Sequence, residues 1–213
     1  MIWQPSGLWK ALDMDPSRPV VGKRFLLWID GVGGYWVCLG EEVVLGRSIS
    51  SVADVPLLGD LAACHARIRR DSEGYLIEAV REVYVDGRPV THAALLRDGS
   101  RIQLGAGVRL LFRRPHALSA TARLDFASHH RTQPSVDAVV LLADVCVLGP
   151  AARSHIVCPD WPQEVTLYRM EDELYCRSVG PLEVDGRPGR DRAKVGLDSR
   201  IAGPHFAMRL EPL

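Results

Sequence analysis

Residues 43–68 read VVLGRSISSVADVPLLGDLAACHARI. The stretch opens on an apolar run, Val43-Val44-Leu45, that stops at Gly46-Arg47. A loop of small polar residues follows (Ser48, Ser50, Ser51, Asp54), and a second apolar segment ends in His65-Ala66-Arg67-Ile68. Aliphatic and β-branched residues suit a half-buried pleat, so this pattern predicts two strands joined by a polar loop. Arg47 then falls at a strand end, where its planar five-donor fork can face whatever approaches the loops.

Working outward, RFLLWID and YWVCLG flank Gly31-Val32-Gly33-Gly34 and predict a β-hairpin with a glycine-rich connection. A phosphate-cradling loop is the other reading of such glycines. It requires a following Lys-Ser or Lys-Thr and a helix, and neither pattern is present. Gly74–Val80 predicts a strand, and Val83–Val90 a hairpin turning at Asp86-Gly87, a pair that tolerates positive φ. Leu95-Leu96, Ile102–Leu104 and Val108–Phe112 continue the series around Asp98-Gly99. Many short strands at regular spacing predict an all-β sandwich, and no segment here keeps helical periodicity over three turns.

The order of these signals resembles the forkhead-associated (FHA) domain, a β-sandwich whose loops at one end read phosphothreonine. The resemblance is carried over about sixty residues by Gly46-Arg47, Asp54–Leu57, His65-Ala66 with Ile68, Val85-Asp86-Gly87, Leu96–Gly99 and Ile102–Gly105. It implies that Arg47 binds phosphate and that His65 supports the loop from inside, with Gly46 and Gly87 as turn residues. The family's phosphate-binding serine falls on Ala62, which has no hydroxyl. The family's peptide-holding asparagine falls on Asp86, which accepts a hydrogen bond but donates none. A phosphothreonine brings nearly two negative charges and three acceptor oxygens, so these departures predict a weakened or altered phosphate site, with Ser48 and its serine neighbours as substitute donors.

The chain has 213 residues, with 26 basic and 26 acidic side chains, so neither nucleic acid nor an anionic membrane is favoured as a partner. The hydrophobic fraction of 47% is ample for a packed core. Five scattered cysteines without a C-x-x-C predict neither a disulfide framework nor a zinc site, and fit a reducing compartment. No stretch reaches the roughly 18 apolar residues of a membrane span, and the expected location is the cytoplasm. Neither a cofactor nor a metal is expected. His129-His130 has no further ligand at useful spacing, and Cys64 and His65 are strand neighbours that point to opposite faces. No acid pair or nucleophile–base arrangement is legible, so no enzyme is expected.

Four regions are expected: an extension over 1–22 with Trp3 and Trp9 folded back onto a domain, a first FHA domain over 23–114, a linker over 115–136 and a second sandwich over 137–213. The linker is read with one helical turn around Ser119 to Phe126, and its length predicts that it packs on a domain or carries a function. In the last region Val184–Pro188 repeats Val85–Pro89 letter for letter, and Ser199–Ile201 repeats Ser100–Ile102. A constant offset near one hundred residues predicts a second copy of the fold. Pro150 stands in Arg47's place there and Val165 in that of His65, so this copy is expected to be degenerate and structural. The functional expectation is an adaptor that binds a phosphothreonine-containing protein, a Ser/Thr kinase or its substrate. A phosphate-independent scaffold is the alternative. Thr121, with Leu124 three residues on, and Thr132 are the linker sites that a kinase is expected to modify.

Overall fold

The computed structural model describes residues 24–49, 51–116, 118–170 and 173–213. The predicted packing of Trp3 and Trp9 lies outside the described residues. The first half contains β1 (Arg24–Ile29), β2 (Gly33–Cys38), β3 (Glu42–Arg47), β4 (Val55–Leu57), β5 (Ala66–Arg70), β6 (Tyr75–Ala79), β7 (Val83–Val85), β8 (Arg88–Pro89), β9 (Ala93–Leu96), β10 (Arg101–Leu104) and β11 (Val108–Arg113). The second half repeats it with β12 (Ala122–Phe126), β13 (Ala138–Leu141), β14 (Val145–Gly149), β15 (Ile156–Val157), β16 (Val165–Met170), β17 (Glu173–Ser178), β18 (Leu182–Val184), β19 (Arg187–Gly189), β20 (Arg192–Val195), β21 (Arg200–Gly203) and β22 (Phe206–Pro212). Among the described residues there is no helix, and so none long and apolar enough to cross a membrane.

The strands form three sheets. Two have five strands each, β4-β3-β5-β6-β9 and β15-β14-β16-β17-β20. The third is continuous across both halves, in the order β19-β18-β21-β22-β1-β2-β13-β12-β11-β10-β7-β8. Read from its centre, the two directions mirror each other, and the parallel pair β2–β13 joins them. The last strand of the first half, β11, pairs with β12, whereas the last strand of the chain, β22, pairs with β1. Each half therefore lends its opening hairpin to the other. Residues 115–136 differ accordingly from the predicted linker: Ala122–Phe126 is a strand paired with β11, because Ala122 and Leu124 alternate with polar residues and enter the same core as Leu110 and Phe112.

The three middle strands explain the unbroken apolar runs of the sequence. Leu26, Trp36, Cys38, Val139 and Leu141 enter one core with Leu45, Ile68, Ile77, Leu104 and Phe112. Their strand neighbours Phe25, Leu27, Tyr35, Val37, Ala138 and Val140 enter a second core with Leu148, Leu167, Cys176 and Leu210. A strand buried on both faces has no polar side, so period-2 alternation disappears and a near-continuous hydrophobic run remains. The outer strands β5, β11 and β22 keep the alternation because one of their faces meets water.

The ladder also fixes which residues of the two halves correspond. Leu148 pairs with Val165 as Leu45 pairs with Ala66. Glu164, not Val165, thus stands in the place of His65. The offset of one hundred residues misses this by one position, because the spacing between the two halves shrinks from 103 residues at Leu45 and Leu148 to 99 at Ala66 and Val165.

Candidate functional site

Arg47 ends β3, exposed, at the rim of the first five-stranded sheet. Its backbone N–H donates to Ala62 O at 3.0 Å, and the N–H of Ser48 donates to Leu57 O at 3.0 Å, so both flanking loops are tied to this corner. Gly46 is required by close approach: a Cβ there would lie 2.0 Å from the carbonyl oxygen of Ala63. The absent side chain lets the loop 62–65 lie across the strand end beside the arginine. Among the described residues no carboxylate pairs with Arg47. Asp54, the tempting sequence neighbour, instead accepts Val44 N–H at 2.9 Å and lies 3.6 Å from Arg24.

His65 is buried, and its ring is fully used. Its Nδ1 accepts the N–H of Ala62 at 3.3 Å, which leaves Nε2 as the protonated nitrogen donating to Glu82 O at 2.9 Å. One neutral imidazole thereby pins the loop 58–65 to the turn between β6 and β7. The carbonyl of His65 in turn accepts the N–H groups of Val80 and Arg81, at 3.1 and 3.0 Å. This is loop support from within, with no free nitrogen for acid–base work. The part-exposed Cys64 is free, and the other four cysteines are buried. Burial pushes the thiols of Cys146, Cys158 and Cys176 up to about 12 and that of Cys38 up as well, so these four stay protonated.

Asp86 lies elsewhere. It sits at φ 52° with Gly87 at φ 77°, the left-handed pair of a tight hairpin turn between β7 and β8. Its carboxylate accepts Arg101 N–H at 2.8 Å and Ser100 Oγ–H at 3.3 Å. Asp185 repeats both bonds in the second half, to Arg200 N–H and Ser199 Oγ–H at 2.8 Å each. The duplicated V-D-G-R-P and S-R-I strings are therefore one structural device used twice. Glu82 is tied to His65, and Asp86 is four residues further along β7, about 13 Å at the usual rise. The residue assigned to the peptide backbone by resemblance thus caps the opposite end of the strand, because its carboxylate is worth more as a turn anchor. Replacing Asp86 with Ala should cost about 2 kcal/mol in urea denaturation, from the lost carboxylate bonds and the strained φ, with peptide affinity unchanged. A variant of full stability that no longer binds peptide would return Asp86 to the site.

Two further sequence-predicted features change character. Thr121 and Thr132 are completely buried. The hydroxyl of Thr121 accepts Ala143 N–H at 3.0 Å, and that of Thr132 donates to Pro134 O at 2.7 Å. A kinase has no access to either in the folded chain, so the expected modification is withdrawn. The rings of His129 and His130 stack at 4.1 Å, with His130 Nδ1 within 3.0 Å of Ser128 Oγ, and the described residues contain no group of three or more metal-ligating side chains. In the second half Pro150 follows β14 where Arg47 ends β3, and neither Pro150 nor Glu164 offers an anion a cation.

The architecture is that of an all-β binding module, with an exposed arginine held at a loop-lined rim and a buried histidine beneath it. Residues 43–105 match the family model of the FHA domain. FHA domains are phosphothreonine-binding modules. A solved chain titled "Rv0020c_FHA Structure" is 20% identical, covers 58% of this chain and 98% of its own, and has a TM-score of 0.30, a likeness that adds no argument. No curated protein matches the sequence.

Proposed function

We propose that the chain is a phosphothreonine-peptide-binding adaptor whose ligand is held at Arg47. The observation that carries this reading is an exposed arginine at the end of β3, its backbone bonded to Ala62 O and its guanidinium paired with no carboxylate among the described residues. A guanidinium so placed can form a bidentate, charge-assisted pair with a phosphate. Ser48 lies beside it, and Gly46 and His65 hold the loops that frame it. The partner is a phosphorylated substrate of a Ser/Thr kinase, or the kinase itself. Ala62 removes one hydrogen bond to a charged group, about 1.5–3 kcal/mol, so affinity is in the micromolar range or weaker.

The same alanine favours a second reading, a phosphate-independent scaffold in which the tandem arrangement supplies surfaces for assembly. Titration of paired phosphorylated and unphosphorylated threonine peptides separates the two. The adaptor binds the phosphorylated member selectively, and Arg47→Ala weakens it by about tenfold or more. Equal binding of both members, unchanged in Arg47→Ala, leaves the scaffold.

A further inference from the structure

The loop between β6 and β7 brings a second cation to this rim. Its backbone is strapped to the loop that carries Ala62 and His65 by three bonds. Val80 N–H and Arg81 N–H both donate to His65 O, and His65 Nε2–H donates to Glu82 O. Gly105 N–H also donates to Glu82 O, at 2.9 Å, which closes the rim on its far side. Arg81 is exposed at the centre of this strap. Among the described residues its guanidinium meets no carboxylate. The nearest acid in the chain, Glu82, accepts the hydroxyl of Tyr84 at 2.7 Å, and Asp60 pairs with neither arginine.

Arg47 and Arg81 thus project from two loops bound to the same segment, 62–65, with neither charge neutralised. Holding two unpaired cations at one edge carries a repulsive cost that an anion relieves. That segment lacks a hydroxyl: it reads Ala62-Ala63-Cys64-His65, with Ala62 O accepting from Arg47 N–H and His65 O from Arg81 N–H. We propose that Arg81 is a second phosphate-binding residue, supplying the donors that Ala62 cannot, and that the site thereby selects the doubly charged phosphomonoester of a peptide over a carboxylate. This deepens the adaptor reading and rests on it. A carboxylate carries one charge and two oxygens, which one guanidinium satisfies. A phosphate carries nearly two charges and three oxygens, enough for both.

The test uses the full chain, a fluorescent phosphothreonine-peptide library, and the same peptides with threonine or glutamate at that position. Arg81→Ala should weaken the selected phosphopeptide roughly tenfold and shrink its advantage over the glutamate peptide, with Arg81→Lys recovering part of the loss. The wild-type affinity should fall as pH drops through about 6, where the phosphate takes up its second proton, and fall less in Arg81→Ala. The dependence on salt should also flatten in the variant, a readout that a purely structural role for Arg81 would not move. An Arg81→Ala protein that binds as wild type does, while Arg47→Ala is impaired, overturns this inference and leaves the adaptor reading intact. A wild type that does not distinguish phosphothreonine from threonine overturns both.

Discussion

A fragment ending at residue 116 should fail to give a folded monomer, although it contains every residue from Arg24 to the end of β11. Its first core loses Ala122, Leu124, Val136, Val139 and Leu141, all buried in the full chain. Full burial of a Val or Leu side chain is worth about 1.5–3 kcal/mol, so the four larger residues together contribute on the order of 6–12 kcal/mol. That range overlaps the entire stability of a typical domain, about 5–15 kcal/mol. The fragment would also expose the edge of β11, which in the full chain is covered by β12 from Leu110 to Arg113. Residues 24–213 should unfold in one cooperative transition by circular dichroism in urea, whereas residues 24–116 should show none as a monomer. Folding of the fragment only as a dimer would agree with the exchange of hairpins between halves. A monomeric fragment with a sharp transition, within about 2 kcal/mol of the full chain, would show that the exchange is dispensable.

Acid should destabilise the protein through His155. This residue is completely buried at the junction where Arg123 of β12 donates to its carbonyl at 2.7 Å. Its Nδ1 accepts Val147 N–H at 2.9 Å, and its Nε2 finds no partner among the described residues. The ring stacks on His116 at 6.0 Å. Burial first, then the neighbouring His116 and Arg123, push His155 down from 6.5 to about 4. The folded state therefore resists a proton that the unfolded chain accepts below about 6.5. Stability is unaffected above that pH and falls as pH drops from about 6.5 to about 4, by about 3 kcal/mol in all. Urea midpoints measured across this window should show the decline, and His155→Asn should flatten it, because an amide oxygen can take Val147 N–H without titrating. A decline of equal size in the Asn variant would assign the acid sensitivity to other groups.

Both expectations concern the junction between the two halves, which the sequence showed least. The repeated V-D-G-R-P and S-R-I strings were legible because each is a local turn device, an aspartate hooked onto a strand only fifteen residues away. The hairpin β1–β2 was legible from its glycine connection, and the position of Arg47 from the Gly-Arg pair at the end of an apolar run. The partner of that hairpin was not. Its residues pack equally well as edge strands of their own repeat or of the next, and only long-range pairing distinguishes the two. Asp86 and Arg81 show the same limit at the site. Asp86 has the chemistry of a peptide contact, but its carboxylate is consumed by Ser100 and Arg101. Arg81 lies in an undistinguished stretch and reaches the rim solely because its backbone is bonded to His65.

The sequence by itself determined an all-β chain, the likeness of residues 43–105 to the FHA domain, an internal repeat and an arginine at the end of an apolar strand. Each of these is written in short-range patterns: alternation, turn pairs and residue order. Tertiary structure alone decided that a single twelve-stranded sheet runs through both halves, that Thr121 and Thr132 are buried, and that the backbone of Arg81, not that of Asp86, is bonded to the segment 62–65 to which Arg47 is also bonded. The physical reason is that hydrogen bonds and buried faces between distant segments follow which strand ends up beside which, and the propensity of any one strand is the same in either place.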